Sequence, residues 1–250
     1  MLDVVVPCSD SDVVMLYKSI PCIRENVEDG VGKIYIVGSF AIKDACEDLS
    51  CEFVDELALM GFSRHCLVQI DRERRGWVYQ QLIKLSSDKL VETDDFLVCD
   101  SDHVLLKPHR FVDGDKYIFY TTEEYHKPYF DTIRKILGDE FSKIVECSFI
   151  SDKMVFNKEI LKKMKKEIEV HCGNNWIKSI ISACKPGVFS CFSEFETYGT
   201  YIRKRYKDGV KLVDANRKII FDQDLPYSTL SEIKSIYAVY HSLTQGKKAC

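Results

Sequence analysis

FLVCDSDHVLL, residues 96–106, drives four apolar residues into Asp100 and Asp102 and continues into a second apolar run, Val104–Leu106. Ending a core-bound strand on two carboxylates is costly, because like charges that close repel and their burial needs positive compensation. Alternate residues of an extended chain point to one side, so both carboxylates face the same ligand. The stretch reads as a strand end that meets a divalent cation or a nucleotide, with a solvated turn as the alternative. Four such triplets occur: Asp10/Asp12, Asp100/Asp102, Asp113/Asp115 and Asp222/Asp224. The other three sit in turn-like surroundings, where acids usually bond backbone and water.

Outward toward the N-terminus, strands and helices alternate. DVVVPC is a short buried strand, SDSD a polar turn, and an apolar-periodic helix covers residues 13–28, broken at Pro21. KIYIVG is a second strand closed by Gly38, AIKDACEDL a short helix and CEFVDE a third strand. GWVYQQLIKLSSDKL sets Trp77, Leu82, Ile83 and Leu85 at helical spacing just before FLVC. This βαβα order predicts a parallel, doubly wound sheet. Ligands in such sheets bind beyond the carboxyl ends of strands, which points to Pro7–Asp10 and Asp100.

Toward the C-terminus, KYIFYTT and SFISDKMVF read as strands, and ILKKMKKEIE and SEFETYGTYIRKRY as helices. SIYAVYHSL alternates enough for a strand, with a helix as the competing reading. No linker, repeat or low-complexity segment intervenes, so residues 1–250 form one α/β domain.

The composition, 46% hydrophobic and 30% charged over 250 residues, supports a sizeable core. A net charge of -4 leaves no basic footprint for nucleic acid and no polybasic membrane patch. No apolar run approaches a transmembrane segment, and MLDVVVPCSDSD lacks the basic start of a signal peptide. Eleven scattered cysteines without a C-x-x-C pair read as mostly buried thiols in a reducing compartment, which implies a cytoplasmic location.

Two chemistries use a strand end of this kind. In a haloacid dehalogenase-like phosphatase, Asp100 is the nucleophile that takes the phosphoryl group. That motif normally opens the fold, whereas here three strands precede it, and GDEFSK (138–143) lacks the second acid of the later cluster. In the other, the pair holds Mn²⁺ or Mg²⁺ against a sugar-nucleotide diphosphate, and the metal offsets charge growing on the leaving phosphate. A βαβα half precedes that arrangement, as here, and this reading is preferred. A non-catalytic nucleotide-sugar-binding module is the non-enzyme alternative.

In this order, DVVVPCSDSD, GWVYQQLIKL, FLVCDSDHVLLKP, EEYHKPYF, SFISDKMVFNKEIL and FSEFETYGTYIRKR resemble a glycosyltransferase-like family, largely a domain of unknown function. The resemblance spans about residues 2–206. It implies the GT-A fold, a Rossmann-like central mixed sheet flanked by helices, with residues 1–107 binding nucleotide-sugar and 108–250 the acceptor. It further implies a metal-dependent transferase with an Asp-x-Asp motif, moving sugar from a UDP- or GDP-sugar to a glycan or other hydroxyl acceptor.

Under that resemblance Pro7, Ser9 and Asp10 contact base or ribose, with an N-cap by Ser9 or Asp10 as the plainer alternative. Asp100-Ser101-Asp102 holds the metal and donor, so Asp102 also counts as catalytic. Lys84, 16 residues before Asp100, matches a basic residue that reaches the donor in glycogenin-like enzymes; otherwise its helix exposes it to solvent. Arg72, Arg74 and Arg75 read as a solvated loop rather than a phosphate site. A third metal ligand is sought among the histidines: His241 best matches a late His of GT-A enzymes, His103 points away from the Asp102 face, and His126 suits the acceptor site. If the enzyme inverts, Glu194 is the preferred base and Asp152 the second choice. Glu196, three residues after Ser193, reads as a capping-box acid.

Overall fold

A computed structural model describes residues 1–220 and 237–240 of the chain. The elements run β1 (Leu2–Pro7), α1 (Val13–Asn26), β2 (Val31–Gly38), α2 (Lys43–Asp48), β3 (Glu52–Asp55), α3 (Glu56–Met60), α4 (Arg75–Ser86) and β4 (Asp95–Cys99). They continue β5 (His103–Leu105), β6 (Val112–Asp113), β7 (Lys116–Thr121), α5 (Lys127–Leu137), β8 (Lys153–Asn157), α6 (Lys158–Cys172) and α7 (Trp176–Ala183). The last are α8 (Glu194–Arg205), β9 (Val210–Asp214), β10 (Arg217–Ile220) and β11 (Tyr237–Tyr240).

The main sheet has the order β3-β2-β1-β4-β8. The first four strands are parallel, as the βαβα pattern predicts, while β8 runs antiparallel to β4 with Cys99 opposite Lys153. Both faces of this sheet are covered, so β1 and β4 are almost wholly buried and their apolar runs are continuous rather than alternating. Strand order reverses between β1 and β4, which opens a crevice at their carboxyl ends. Pro7 and Cys99 end the two strands that flank it. Two three-stranded sheets, β10-β11-β5 and β6-β7-β9, complete the fold, and the strand reading of SIYAVYHSL holds for Tyr237–Tyr240. Asp113 faces Lys116 across a two-residue hairpin loop, so Asp113/Asp115 is indeed a turn.

Two expectations need correction. Pro21 does not break α1, which continues to Asn26. Pro21 lies on the exposed face, so the bond it removes is lost on the solvent side, while Ile20, Cys22 and Ile23 stay packed in the core. The predicted strand SFISDKMVF is split: Ser148 bridges Thr122, and β8 begins only at Lys153. The break is Asp152, at φ 59°, a left-handed turn that re-aims the chain just before β8.

Ten cysteines lie among the described residues, all free thiols and six of them buried. None of the described helices is long and apolar enough to cross a membrane.

Candidate active site

Helix α4 packs between β1 and α8, so it is covered nearly all round and Gln81 through Ser86 are buried. Lys84 is therefore not a solvated residue; 3% of it is exposed. Its Nζ lies 2.6 Å from Glu194 Oε1, forms a second ion pair with Asp100 Oδ1, and sits 4.3 Å from the centre of the Phe195 ring. Burial by itself lowers an ammonium pKa, but Asp100 and Glu194 together outweigh it and hold Lys84 above its ordinary value. Glu194 is pushed upward by burial, partly opposed by Lys84.

Glu194 opens α8 in a way the local sequence dictates. Ser193 is the N-cap, and its Oγ accepts the N–H of Glu196 at 3.2 Å. Acids in the first turn also suit the positive end of the helix dipole. The body of α8 is fixed by Gly199, where a Cβ would fall 2.6 Å from Cδ1 and Cδ2 of Phe149. No larger residue fits that approach of backbone to ring.

Across the crevice, the end of β4 presents Asp100 and Asp102, and the turn at Asp152 brings a third carboxylate. The Asp152 carbonyl accepts the N–H of Asp100 at 2.9 Å, and its Oδ2 accepts from Arg217 Nη1 at 3.1 Å. Arg217 also pairs with Glu124. Burial, then Asp100, Asp152 and Asp12, raise the Asp102 carboxyl well above the usual range. Burial and Asp100 push Asp152 up to about 7. The carboxylates crowd one another in partial burial, an arrangement that an added cation relieves.

These groups share a cleft of about 240 Å³, lined by residues from both halves of the chain. Asp12, Lys84, Asp100, Ser101 and Asp102 come from the first half, and Asp152 and Glu194 from the second. Arg74, Trp77 and Tyr129 form another part of the wall. Trp77 and Tyr129 are stacked, with centroids 6.2 Å apart.

Other predicted residues fall elsewhere. Pro7 ends β1 and its carbonyl accepts from Gln80 Nε2 at 3.3 Å, while Ser9 is half-buried and Asp10 exposed; none of the three lines the cleft. The Ser9 side chain makes no cap; its Oγ donates to Asp12 Oδ2 at 2.7 Å, and Asp10 Oδ1 accepts from Ser39 Oγ at 2.6 Å. His103 is buried in β5, away from the cleft lining, as expected. His126 packs edge-on against Tyr129 at 4.5 Å, beside the cleft wall. His241 lies outside the described residues.

The capping box forms only by half. Glu196 does not reach back to Ser193; its Oε2 accepts from Ser148 Oγ at 2.7 Å and from the N–H of Phe149 at 3.1 Å. Tertiary donors outcompete the local one because Glu196 faces the core. Of the arginine cluster, Arg72 is exposed as expected, whereas Arg74 and Arg75 are not simply solvated. Arg74 stacks 3.4 Å over the Phe189 ring and bonds Ser190 Oγ at 2.6 Å, and Arg75 Nε donates to the Ile70 carbonyl at 3.0 Å. Sequence reasoning passed over Gln81, Trp77 and Tyr129 as cleft residues. Trp77 precedes Gln81 by four positions and Lys84 by seven, a helical repeat that carried the signal.

A divalent cation is what the sequence resemblance leads one to expect in this cleft. The donors present are carboxylate oxygens, which suit Mg²⁺ or Mn²⁺. Among the described residues no group of three or more His, Cys, Asp or Glu converges closely enough to hold an ion alone. By themselves Asp100 and Asp102 supply an incomplete set of oxygen donors.

Residues 34–224 match a family described as "Family of unknown function (DUF6492)". No curated protein matches. The galactosyltransferase LgtC, solved with donor and acceptor sugar analogues, is 13% identical, with a TM-score of 0.50 over 96% of this chain and 87% of that one. Mouse xyloside xylosyltransferase 1 in apo form is 12% identical, with a TM-score of 0.51 over 99% of both chains. The apo bifunctional glycosyltransferase WbbM gives 13% and 0.53, over 96% of this chain but 46% of its own length. Identities this low speak to the fold alone, and the fold is that of GT-A glycosyltransferases.

Proposed function

Because the chain belongs to the DUF6492 family, whose description assigns no reaction, we propose its activity from the cleft: transfer of a sugar from a nucleoside-diphosphate sugar to a hydroxyl acceptor. The observation that carries this reading is the meeting of Asp100, Asp102, Lys84 and Glu194 at the strand-order reversal of a glycosyltransferase-like fold.

Asp100 and Asp102 hold Mn²⁺ or Mg²⁺, with His241 proposed as the third protein ligand. A bound divalent ion supplies charge stabilisation for the leaving diphosphate. Lys84 pairs with Asp100 Oδ1 and so fixes the carboxylate that, with Asp102, would hold the ion. The Lys84 ammonium also adds positive charge where the diphosphate leaves. Ser101, between the two acids, lines the cleft on the donor side, and Pro7, Ser9 and Asp10, beyond that lining, are the proposed contacts to base or ribose.

Glu194 is the proposed base on the acceptor hydroxyl. It lines the cleft, and burial raises its carboxyl above the ordinary value, which strengthens it as a proton acceptor. The phosphatase alternative lacks support from the fold, which is that of glycosyltransferases.

The test is a thermal-shift screen of UDP and GDP with and without Mn²⁺. One diphosphate should stabilise the protein only with metal, by about 2.7 kcal/mol at a hundredfold excess over Kd. Vanadate stabilising the protein while neither diphosphate does would overturn the reading.

A further inference from the structure

Gln81 lies on α4 one turn before Lys84, is 2% exposed and lines the cleft. Its Oε1 accepts the backbone N–H of Glu194 at 3.1 Å. That bond settles the amide's orientation, since an N–H needs an oxygen and Nε2 has no acceptor to offer. The Nε2 is thereby left as a buried donor with no hydrogen-bond partner. Native interiors rarely leave such a group unmatched without a reason. Ser19, Ser86 and Thr200 also carry unmatched buried hydroxyls, but none of them lines the cleft. Gln81 combines the two properties: an unmet donor and a place on the wall where a ligand sits.

We propose that Gln81 Nε2 donates a hydrogen bond to a hydroxyl oxygen of the donor's sugar and so helps to select that sugar. The inference rests on the glycosyltransferase reading. Lys84 binds Asp100, so the diphosphate lies at that end of α4. Positions three apart on a helix stand about 5–6 Å from each other, roughly the width of one sugar ring. A sugar joined to the terminal phosphate therefore spans from the Asp100 end of α4 back to Gln81. A hydroxyl oxygen is the acceptor such a neutral amide donor suits, while the phosphate charge is met by Lys84. Because Gln81 also holds the first residue of α8 through the Glu194 N–H, occupancy of Nε2 couples sugar binding to the position of Glu194.

The experiment is calorimetric titration, with Mn²⁺, of UDP, GDP, UDP-glucose, UDP-galactose and GDP-mannose into wild type, Gln81→Met and Gln81→Glu. The readout is the affinity ratio of a nucleotide-sugar to its free diphosphate within each protein. Gln81→Glu keeps an oxygen for the Glu194 N–H, so it guards against a variant that merely misfolds. Its added charge acts on both ligands and largely cancels in the ratio. The ratio should fall about tenfold in both variants, the scale of one buried hydrogen bond. An unchanged ratio, including a parallel loss of both affinities, overturns the role of Gln81 and leaves the transferase reading standing. If wild type binds none of the five ligands, the transferase reading fails and this inference fails with it.

Discussion

Lys84 Nζ and Glu194 Oε1 lie 2.6 Å apart although 110 positions separate them in the chain, and both residues are buried. The pair joins α4, the helix before the acidic strand end, to α8 in the second half of the chain. Removing one member leaves an uncompensated charge in the interior, which costs about 3–5 kcal/mol. Lys84→Met should lower the urea-derived unfolding free energy on that scale, since Asp100 and Glu194 would then face each other without a cation. Lys84→Met with wild-type stability would mean that solvent, not Lys84, compensates the two acids.

Asp102 should behave in the opposite sense. Burial and three neighbouring acids disfavour its charged form, so Asp102→Asn relieves repulsion and should raise the melting temperature of the metal-free protein. The same variant should lose Mn²⁺-dependent binding of nucleoside diphosphate. Retention of that binding with unchanged metal dependence would remove Asp102 from the metal site.

Asp152 predicts a pH effect. Its folded pKa is about 7 against 3.8 unfolded, so the native state holds an extra proton between those values. A group raised in the folded state lends stability at low pH that is lost as pH rises through the folded value. Metal-free protein should accordingly lose stability from about pH 4 to pH 7, and Asp152→Asn should flatten that slope by at most about 4 kcal/mol over the window. Identical slopes in the two proteins would dissociate Asp152 from the effect.

Glu194 and Glu196 separate base from scaffold. Glu194→Gln cannot take a proton, so transfer should fall about 10²- to 10⁴-fold while donor binding persists. Glu196→Gln still offers an oxygen to Ser148 and Phe149 but puts a buried Nε2 donor where Oε1 has no partner; it should lower stability by about 1 kcal/mol or more and leave the rate per folded molecule near normal. Equal small losses of rate in both variants would argue for a retaining mechanism without a carboxylate base.

Gly199 sets how closely α8 approaches Phe149. On an open helix face Gly→Ala stabilises by about 1 kcal/mol. Here the methyl meets the Phe149 ring, so Gly199→Ala should instead destabilise by about 1–3 kcal/mol. Gly199→Ala combined with Phe149→Leu should recover part of that loss; no recovery would place the strain elsewhere.

Much of the architecture is local in origin. The alternation of apolar runs with periodic helices is enough to order β1, β2, β3 and β4 and to place Asp100 at a strand end, because each pattern is imposed by its own backbone geometry. The same pattern could not specify β8, whose antiparallel direction follows from the turn at Asp152. It also made Pro21 read as a break, since whether a missing N–H matters depends on which side of the helix meets solvent.

The parallel βαβα core ending in paired carboxylates was legible from the residues alone, and Lys84 and Glu194, on two separate helices, stood out as candidates. It took the folded chain to show that these two form one buried ion pair, that Glu196 turns to Ser148 and Phe149 rather than to its own cap, and that Gln81 keeps one donor unmet. The cause is separation along the chain. Propensity and periodicity act over a few residues, whereas burial, charge pairing and hydrogen-bond satisfaction are fixed when segments about a hundred residues apart close on one another.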